Sequence, residues 1–465
     1  MVATVTPLHA PHQDQELQRL RTLFQQQRQA FRQHPMPTLA ERLADLKRLK
    51  AATLKHQDAL AAAVNQDFSC RSKDETLIAE IMTSVQGINY ACSHLRGWMK
   101  PSKRHVHMLF APSHNQVVYQ PLGVIGIMVP WNYPVQLALL PLMTALAAGN
   151  RAMIKMSEFT PATNKALKAM LADIFSEQQV AIIEGEVDVS SAFAETPWDH
   201  LVFTGSTAVG KIVMGAAAKN LTPVTLELGG KSPAIIAPGA SMKDAVERIC
   251  FGKSLNAGQT CIAPDYVLLH ESDRDAFVTA YDRAVAAFYP QGPSSPDYSA
   301  IVNRRHVDRL TRLANDAAAK GADIRIMGRA PGSVADLSPM RAQTIAPMLI
   351  LDPGDDMEVM QQEIFGPILP VLTYRDIDQA IAHVNARPRP LALYYFGPDD
   401  DSRRKVLSRT TSGNVGINNT LLHYAQDDLP FGGVGPSGMG AYHGIEGFRA
   451  LSHAKGIYAS GRWNA

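Results

Sequence analysis

The sequence predicts an α/β protein built on two parallel sheets, and three observations carry that prediction. From Pro121 onward, short apolar runs alternate with segments of helical periodicity, the pattern of strands buried on both faces and joined by crossover helices. Some of those runs end in a glycine-bearing turn that opens a helix, as in "HLVFTGSTAVG",. The chain has 465 residues, 46% of them hydrophobic, which is enough for two or three domains with large cores of their own.

The elements follow in chain order. "QELQRLRTLFQQQRQAF" and "LAERLADLKRLKAATLKHQDALAAAV" repeat apolar residues every three or four positions, and a third helix is expected from about Glu75 to Trp98,. "NQVVYQP" reads as an exposed strand after a basic turn. "GVIGIMV", "AMIKMS", "VAIIEG" and "HLVFTG" read as buried strands, with helices expected over Val135 to Ala148, Pro161 to Phe175 and Thr207 to Asn220. "VTLELGG" and "SPAIIAP" add two strands. A second alternating series, "DYVLLH", "QTIAPMLI" and "ILPVLTY" with helices near Glu271 to Phe288 and Asp376 to Ala386, predicts a second α/β domain,. "YPQGPSSPDYS" and "GRAPGSVADLSP" are expected to be exposed loops.

Bulk properties exclude several classes. A net charge of +2 gives no reason to expect nucleic acid or an anionic membrane as partner,. The four cysteines have no CxxC or zinc spacing and suit a reducing cytoplasm; no metal site is expected,. "MVATVTPLHAPHQDQ" lacks the basic and apolar regions of a signal peptide,. "VPWNYPVQLALLPLMTALAAGN" belongs to a region without Asp, Glu, Lys or Arg from His105 to Asn150. Its three prolines oppose an unbroken membrane span. It reads instead as the end of a buried strand, a turn at "PWNYP" and a buried helix.

Four stretches carry chemistry. "FTGSTAVG" places Gly205, Ser206 and Gly210 where a strand opens into a helix, and glycines there let backbone N–H groups approach an anion,. A tight turn with no ligand would look the same. In "IKMSEFTP", Lys155 and Glu158 could grip a ribose, and a carboxylate disfavours a 2′-phosphate,; a solvated strand end is the plainer alternative. In "LELGGKSP", Glu227 ends an apolar strand, where burial should raise its pKa toward that of a general base, unless it merely bonds the Gly-Gly turn. In "NAGQTCIAP", Cys261 lies in a polar turn, the kind of place where a thiolate can react. Cys70, Cys92 and Cys250 lie in or near helices, where cysteine is usually a small core residue.

Taken together, "PWNYP", "KMSE", "FTGST", "ELGGKSP", "GQTC" and "QEIFGP" occur in one order along nearly the whole chain, and in that order they resemble the aldehyde dehydrogenase superfamily. The tail "LPFGGVGPSGMGAYHGIEGFRALSH" is similar to its class 3, fatty and coniferyl aldehyde branch. The resemblance implies Cys261 as nucleophile, Asn132 as oxyanion donor and Glu227 as the base that hydrolyses a thioester. Relatives that pass the acyl group to coenzyme A generally lack that base, so a free carboxylic acid is expected. The resemblance further implies a cofactor site of Trp131, Lys155, Glu158, Gly205, Ser206, Gly210, Leu228, Glu363 and Phe365, binding NAD, with NADP also possible in this branch. Where the family usually has "EEIFGP", this chain has Gln362.

The same resemblance implies a cofactor domain of residues 1–104 and 121–226 and a catalytic domain of 227–418. Residues 105–120 and 419–465, with strands near Val117 and over Gly456 to Ala459, would form a bridging arm that pairs subunits into a homodimer. Tyr90, Tyr133, Leu421 and Tyr424 are candidate walls of an apolar substrate tunnel. "NNTLLHYAQDDLPFGG" is most similar to the coniferyl aldehyde enzymes, so a phenylpropenal is expected first and a medium or long aliphatic aldehyde second. A non-catalytic NAD-binding protein of the same fold would be expected to have lost Cys261, Glu227 or Asn132, and all three are present.

Overall fold

The computed structural model of the chain describes residues 11–328 and 343–461. Its first sheet has six strands, in the order Gly438–Met439, Val224–Glu227, His200–Thr204, Val124–Met128, Arg151–Lys155 and Val180–Ile183. All neighbours run parallel except Gly438–Met439, which is antiparallel to Val224–Glu227. The second has seven, in the order Asp323–Ile326, Met348–Leu351, Ile368–Tyr374, Tyr266–His270, Pro233–Ile236, Ala392–Phe396 and Asn414–Ile417. Only its Asp323–Ile326 edge is antiparallel. The fold is therefore α/β on two mainly parallel sheets, as the alternating pattern predicts. Ser102–Arg104, His114–Pro121 and Ser452–Ala459 form a separate antiparallel arm.

In the six-stranded sheet the chain builds outward from Val124–Met128 through Arg151–Lys155 to Val180–Ile183. It then returns to lay His200–Thr204 on the other side of Val124–Met128. That reversal opens a crevice at the carboxyl ends of those two strands, where parallel sheets of this kind bind ligands. The second sheet starts just after "LGGKS", so the turn from Leu228 to Ser232 joins the two sheets.

Helix Gln136–Ala148 settles the question posed by its sequence. Every one of its residues is buried, as expected of a helix that is apolar all round. It has no side-chain cap of its own. Instead Glu80 Oε2 accepts from Val135 N at 2.7 Å and Gln136 N at 3.1 Å, satisfying orphan donors and placing negative charge at the positive end of the helix. Gly149, at φ 89°, closes its C-terminus in the left-handed region that suits glycine,. Among the described residues no helix is long and apolar enough to cross a membrane.

Several expected elements change. The long helix predicted to run from Leu39 is two, Leu39–Lys55 and Gln57–Phe68, meeting at a non-helical His56. The third begins at Lys73 and passes through a π-helical stretch, Leu77–Met82, before Thr83–Trp98. The strand in "QTIAPMLI" is confined to Met348–Leu351. "YPQGPSSPDYS" is not a free surface loop. Tyr298 and Ser299 are buried within it, bonded to Ile345 O at 2.8 Å and Glu75 Oε2 at 2.9 Å. The C-terminal arm strand starts at Ser452 rather than Gly456. Of "GRAPGSVADLSP", all but Gly328 lies outside the described residues.

Candidate active site

Cys261 sits half-buried in the turn after a short 3-10 segment, Leu255–Gly258. Asn256, Ala257 and Gly258 are all left-handed, with φ of 52°, 50° and 74°, a conformation that is costly for the first two. The turn is held by bonds rather than by propensity. Gln259 donates to Asn256 O at 2.9 Å and Ala300 O at 3.0 Å and accepts from Val302 N at 3.0 Å. The Tyr133 and Thr260 hydroxyls are 2.8 Å apart.

Asn132 comes from the "PWNYP" turn at the end of strand Val124–Met128. Its side-chain amide donates to Gln259 O at 3.1 Å, next to the nucleophile turn. An amide nitrogen carries two hydrogens, and Asn132 lines the same cavity as Cys261. That cavity, about 310 Å3, is also lined by Trp131, Gly205, Ser206, Leu228, Glu363 and Phe365. Trp131 and Phe365 meet edge to face, with ring centroids 5.3 Å apart. Burial drives the Cys261 thiol above its ordinary pKa, the Glu363 and Glu227 carboxylates push it further, and the N–H groups of Cys261 and Ile262 oppose the rise,.

Glu227 ends strand Val224–Glu227, fully buried, and neither carboxylate oxygen has a hydrogen-bond partner among the described residues. Burial alone drives its pKa well above the ordinary carboxylate value,. The alternative of a Glu bonded to the Gly-Gly turn is thereby excluded. A buried acid left without partners is unfavourable and is a common mark of a functional group.

Glu363 is held by the motif that follows Glu227. Lys231 pairs with Asp265 and donates to Val359 O at 2.8 Å and Gln362 O at 3.2 Å, while Asp265 Oδ1 accepts from Ile364 N at 2.9 Å. A Cβ added at Gly229 would meet the Glu363 carboxylate and push it aside. Burial first, and the charge of Asp265 second, push Glu363 up to about 8.

The cavity opens into a larger cleft of about 1100 Å3 at the strand reversal, shared through Trp131, Gly205, Ser206, His306 and Arg309. Lys155 and Glu158 line this outer part. Lys155 is buried, donates to Met156 O at 2.7 Å, and is pushed down to about 8 by burial. Glu158 is exposed. Ser206 caps helix Thr207–Ala218, which presents its N-terminus to the cleft. Gly210 lets that helix approach Leu228, whose Cδ2 would lie 2.6 Å from an added Cβ. A crevice at a strand reversal, a helix N-terminus and two ribose-sized polar groups fit a dinucleotide. Arg305, Arg309 and Arg312 also line the cleft, with Asp308 and with His306, which burial pushes down to about 4; their helix, Arg304–Ala319, carries no motif that marks them in the sequence.

The four candidate substrate residues do not line the Cys261 cavity. Tyr133 is buried and braces the nucleophile turn through Thr260. Tyr90 bonds Asp428 and borders a separate crevice with Trp98, Tyr442 and His443. The Leu421 N–H donates at 3.4 Å to the Tyr394 hydroxyl, which donates to Ile262 O at 2.6 Å, beside the nucleophile. Tyr424 lies close enough to feel the charges of Cys261 and Glu227, and its hydroxyl is 3.1 Å from that of Tyr442. No group of His, Cys, Asp and Glu among the described residues could hold a metal ion.

Residues 8–457 match the aldehyde dehydrogenase family. The chain is 54% identical over 465 residues to a probable coniferyl aldehyde dehydrogenase of Pseudomonas aeruginosa, covering 100% of this chain and 95% of that protein. It is 48% identical over 416 residues to the coniferyl aldehyde dehydrogenase of a Pseudomonas species, covering 90% and 85%. The substrate-bound AldH of Staphylococcus aureus superposes with a TM-score of 0.90 at 39% identity, over 96% of this chain and 95% of that one. Fold, motif order and full-length identity agree: the chain belongs to the aldehyde dehydrogenase family and is an NAD(P)-dependent aldehyde dehydrogenase.

Proposed function

We propose that the protein oxidises an aromatic phenylpropenal such as coniferyl aldehyde to its free acid, through a thiohemiacetal and then a thioester on Cys261. The observation that carries this reading is the convergence of Cys261 and Asn132 on one cavity, with the unpartnered Glu227 carboxyl near enough to perturb the thiol. The Cys261 thiol gives up its proton to solvent, the thiolate sulfur bonds the aldehyde carbon, and the C=O π pair moves onto oxygen as an oxyanion. The Asn132 amide and the Cys261 N–H stabilise that charge, a preorganised arrangement of the kind that dominates acyl chemistry. The bound dinucleotide supplies the hydride acceptor. Glu227 then takes a proton from water as it attacks the thioester carbonyl, and the Cys261 thiolate leaves.

Lys155 and Glu158 would hold the adenosine ribose, Ser206 and Gly205 the pyrophosphate, Glu363 the nicotinamide ribose, and Trp131 and Phe365 the ring. The exposed Glu158 carboxylate favours NAD over NADP. The names of the two Pseudomonas relatives support the phenylpropenal. We further assign a cytoplasmic homodimer assembled through the antiparallel arm.

The test is formation of reduced dinucleotide across coniferyl, cinnamyl, benzyl, hexyl and decyl aldehydes. The phenylpropenals should give the highest kcat/KM. A preference for the aliphatic pair would overturn the substrate assignment, and silence on every aldehyde with NAD still bound would overturn the catalytic one.

A further inference from the structure

Arg71 is fully buried between helix Gln57–Phe68 and helix Lys73–Thr76, and nothing in the chemistry above uses it. Its Nη1 donates to the backbone carbonyl of Asn132 at 2.8 Å. Its remaining nitrogens face two buried carboxylates, Glu75 at 3.4 Å and Glu80 at 3.2 Å. The guanidinium also lies over the Tyr133 ring, 4.7 Å from its centroid. A buried ion triad of this kind seldom adds stability over well-packed apolar residues, so its position calls for another explanation.

Each partner of the triad leads to the reacting centre. Glu80 holds the N–H groups of Val135 and Gln136, fixing the backbone on the far side of Asn132. Glu75 accepts from the Ser299 hydroxyl at 2.9 Å and lies near the N–H of Asn256, where the left-handed run before Cys261 begins. Asn256 Nδ2 donates at 3.0 Å to the same Asn132 carbonyl that Arg71 binds. Tyr133, under the guanidinium, braces Thr260. The loop bearing the amide and the loop bearing the thiol are therefore fastened to one charged hub.

We infer that Arg71 is a positioning residue for the oxidation: with Glu75 and Glu80 it fixes the Asn132 turn against the Cys261 turn, so that amide and sulfur address one carbonyl. The inference rests on the proposed role of Asn132 as oxyanion donor. Planarity suits arginine to this place. One guanidinium donates to a carbonyl and pairs its spread charge with two carboxylates at once, which the compact, flexible ammonium of lysine cannot reproduce,. Misplacing a reacting group by about 1 Å costs on the order of a hundredfold.

The test is a cycle of R71K, N132A and the double variant, read by kcat, aldehyde KM and NAD affinity. R71K should lower kcat about a hundredfold, with aldehyde KM and NAD affinity within about twofold of the parent. In the N132A background R71K should add little, because the amide it positions is already gone. Glu80→Gln keeps an oxygen for the Val135 and Gln136 N–H groups but drops the ion pair. It should show the same signature with a smaller loss, and it keeps the test open if R71K does not fold. Unchanged kcat in the variants of Arg71 and Glu80, beside a slow N132A, would overturn the inference alone. So would losses by R71K and N132A that simply multiply. N132A at the parent kcat would overturn both the inference and the reading beneath it.

Discussion

Glu227 is a carboxyl that burial holds well above its ordinary pKa, with no bond to lower it. Its base form therefore accumulates only as pH rises through that raised value. Steady-state turnover should fall as pH drops, while the first release of reduced dinucleotide should not follow the same limb. Glu227→Gln should give a burst of about one equivalent per site and then stall, measured by stopped flow. An undiminished steady state would remove Glu227 as the base. At the other end of the cleft, Glu158→Ala should raise the NADP to NAD ratio of kcat/KM, and an unchanged ratio would show that another group reads the ribose. The sequence exposed Cys261, Asn132 and Glu227 because each stands in a short motif whose order is distinctive. It hid Arg71, since "CRSKDE" reads as an ordinary charged helix start. Its carbonyl partner is 61 residues away in sequence, and burial is a property of the fold.

At the scale of elements, the apolar strands of the six-stranded sheet were legible because both their faces are covered, which leaves an unbroken hydrophobic run. Edge strands were harder. Asp323–Ile326 alternates charge with isoleucine on a half-exposed edge, and Asn414–Ile417 carries a glycine and is only partly covered; neither reads as a buried strand. Ala392–Phe396 is fully buried but follows the proline-rich "ARPRP", where turn signals mask it. The break at His56 was invisible because the apolar period continues across it. The turn between the two sheets allows a direct test. A methyl on Gly229 would strike the Glu363 carboxylate, so Gly229→Ala should raise the NAD KM at least tenfold while the melting temperature moves by only a few degrees. Unaltered cofactor kinetics would show that Glu363 does not need that clearance.

At the scale of the molecule, the antiparallel arm stands apart from both parallel sheets. Beside it, Met108 and Leu109 are 85% and 79% exposed, unusual for adjacent large apolar side chains. If this arm joins two subunits, the protein should be a dimer by light scattering, and Met108→Asp with Leu109→Asp should shift it toward monomer. A monomeric parent would contradict the dimer. The architecture also explains why the site is assembled from distant segments. The six-stranded sheet carries Glu227 at one strand end and Asn132 just beyond another, the segments around the second sheet carry Cys261 and Glu363, and Asn132, Cys261 and Glu363 line one cavity. Whether those groups act on one carbonyl is answered most directly by mass spectrometry of Glu227→Gln mixed with NAD and cinnamaldehyde. One cinnamoyl group per chain is expected, carried on the Cys261 peptide and absent from Cys70, Cys92 and Cys250. Reduced dinucleotide accumulating with no acyl group on Cys261, or with the group on another cysteine, would contradict the mechanism.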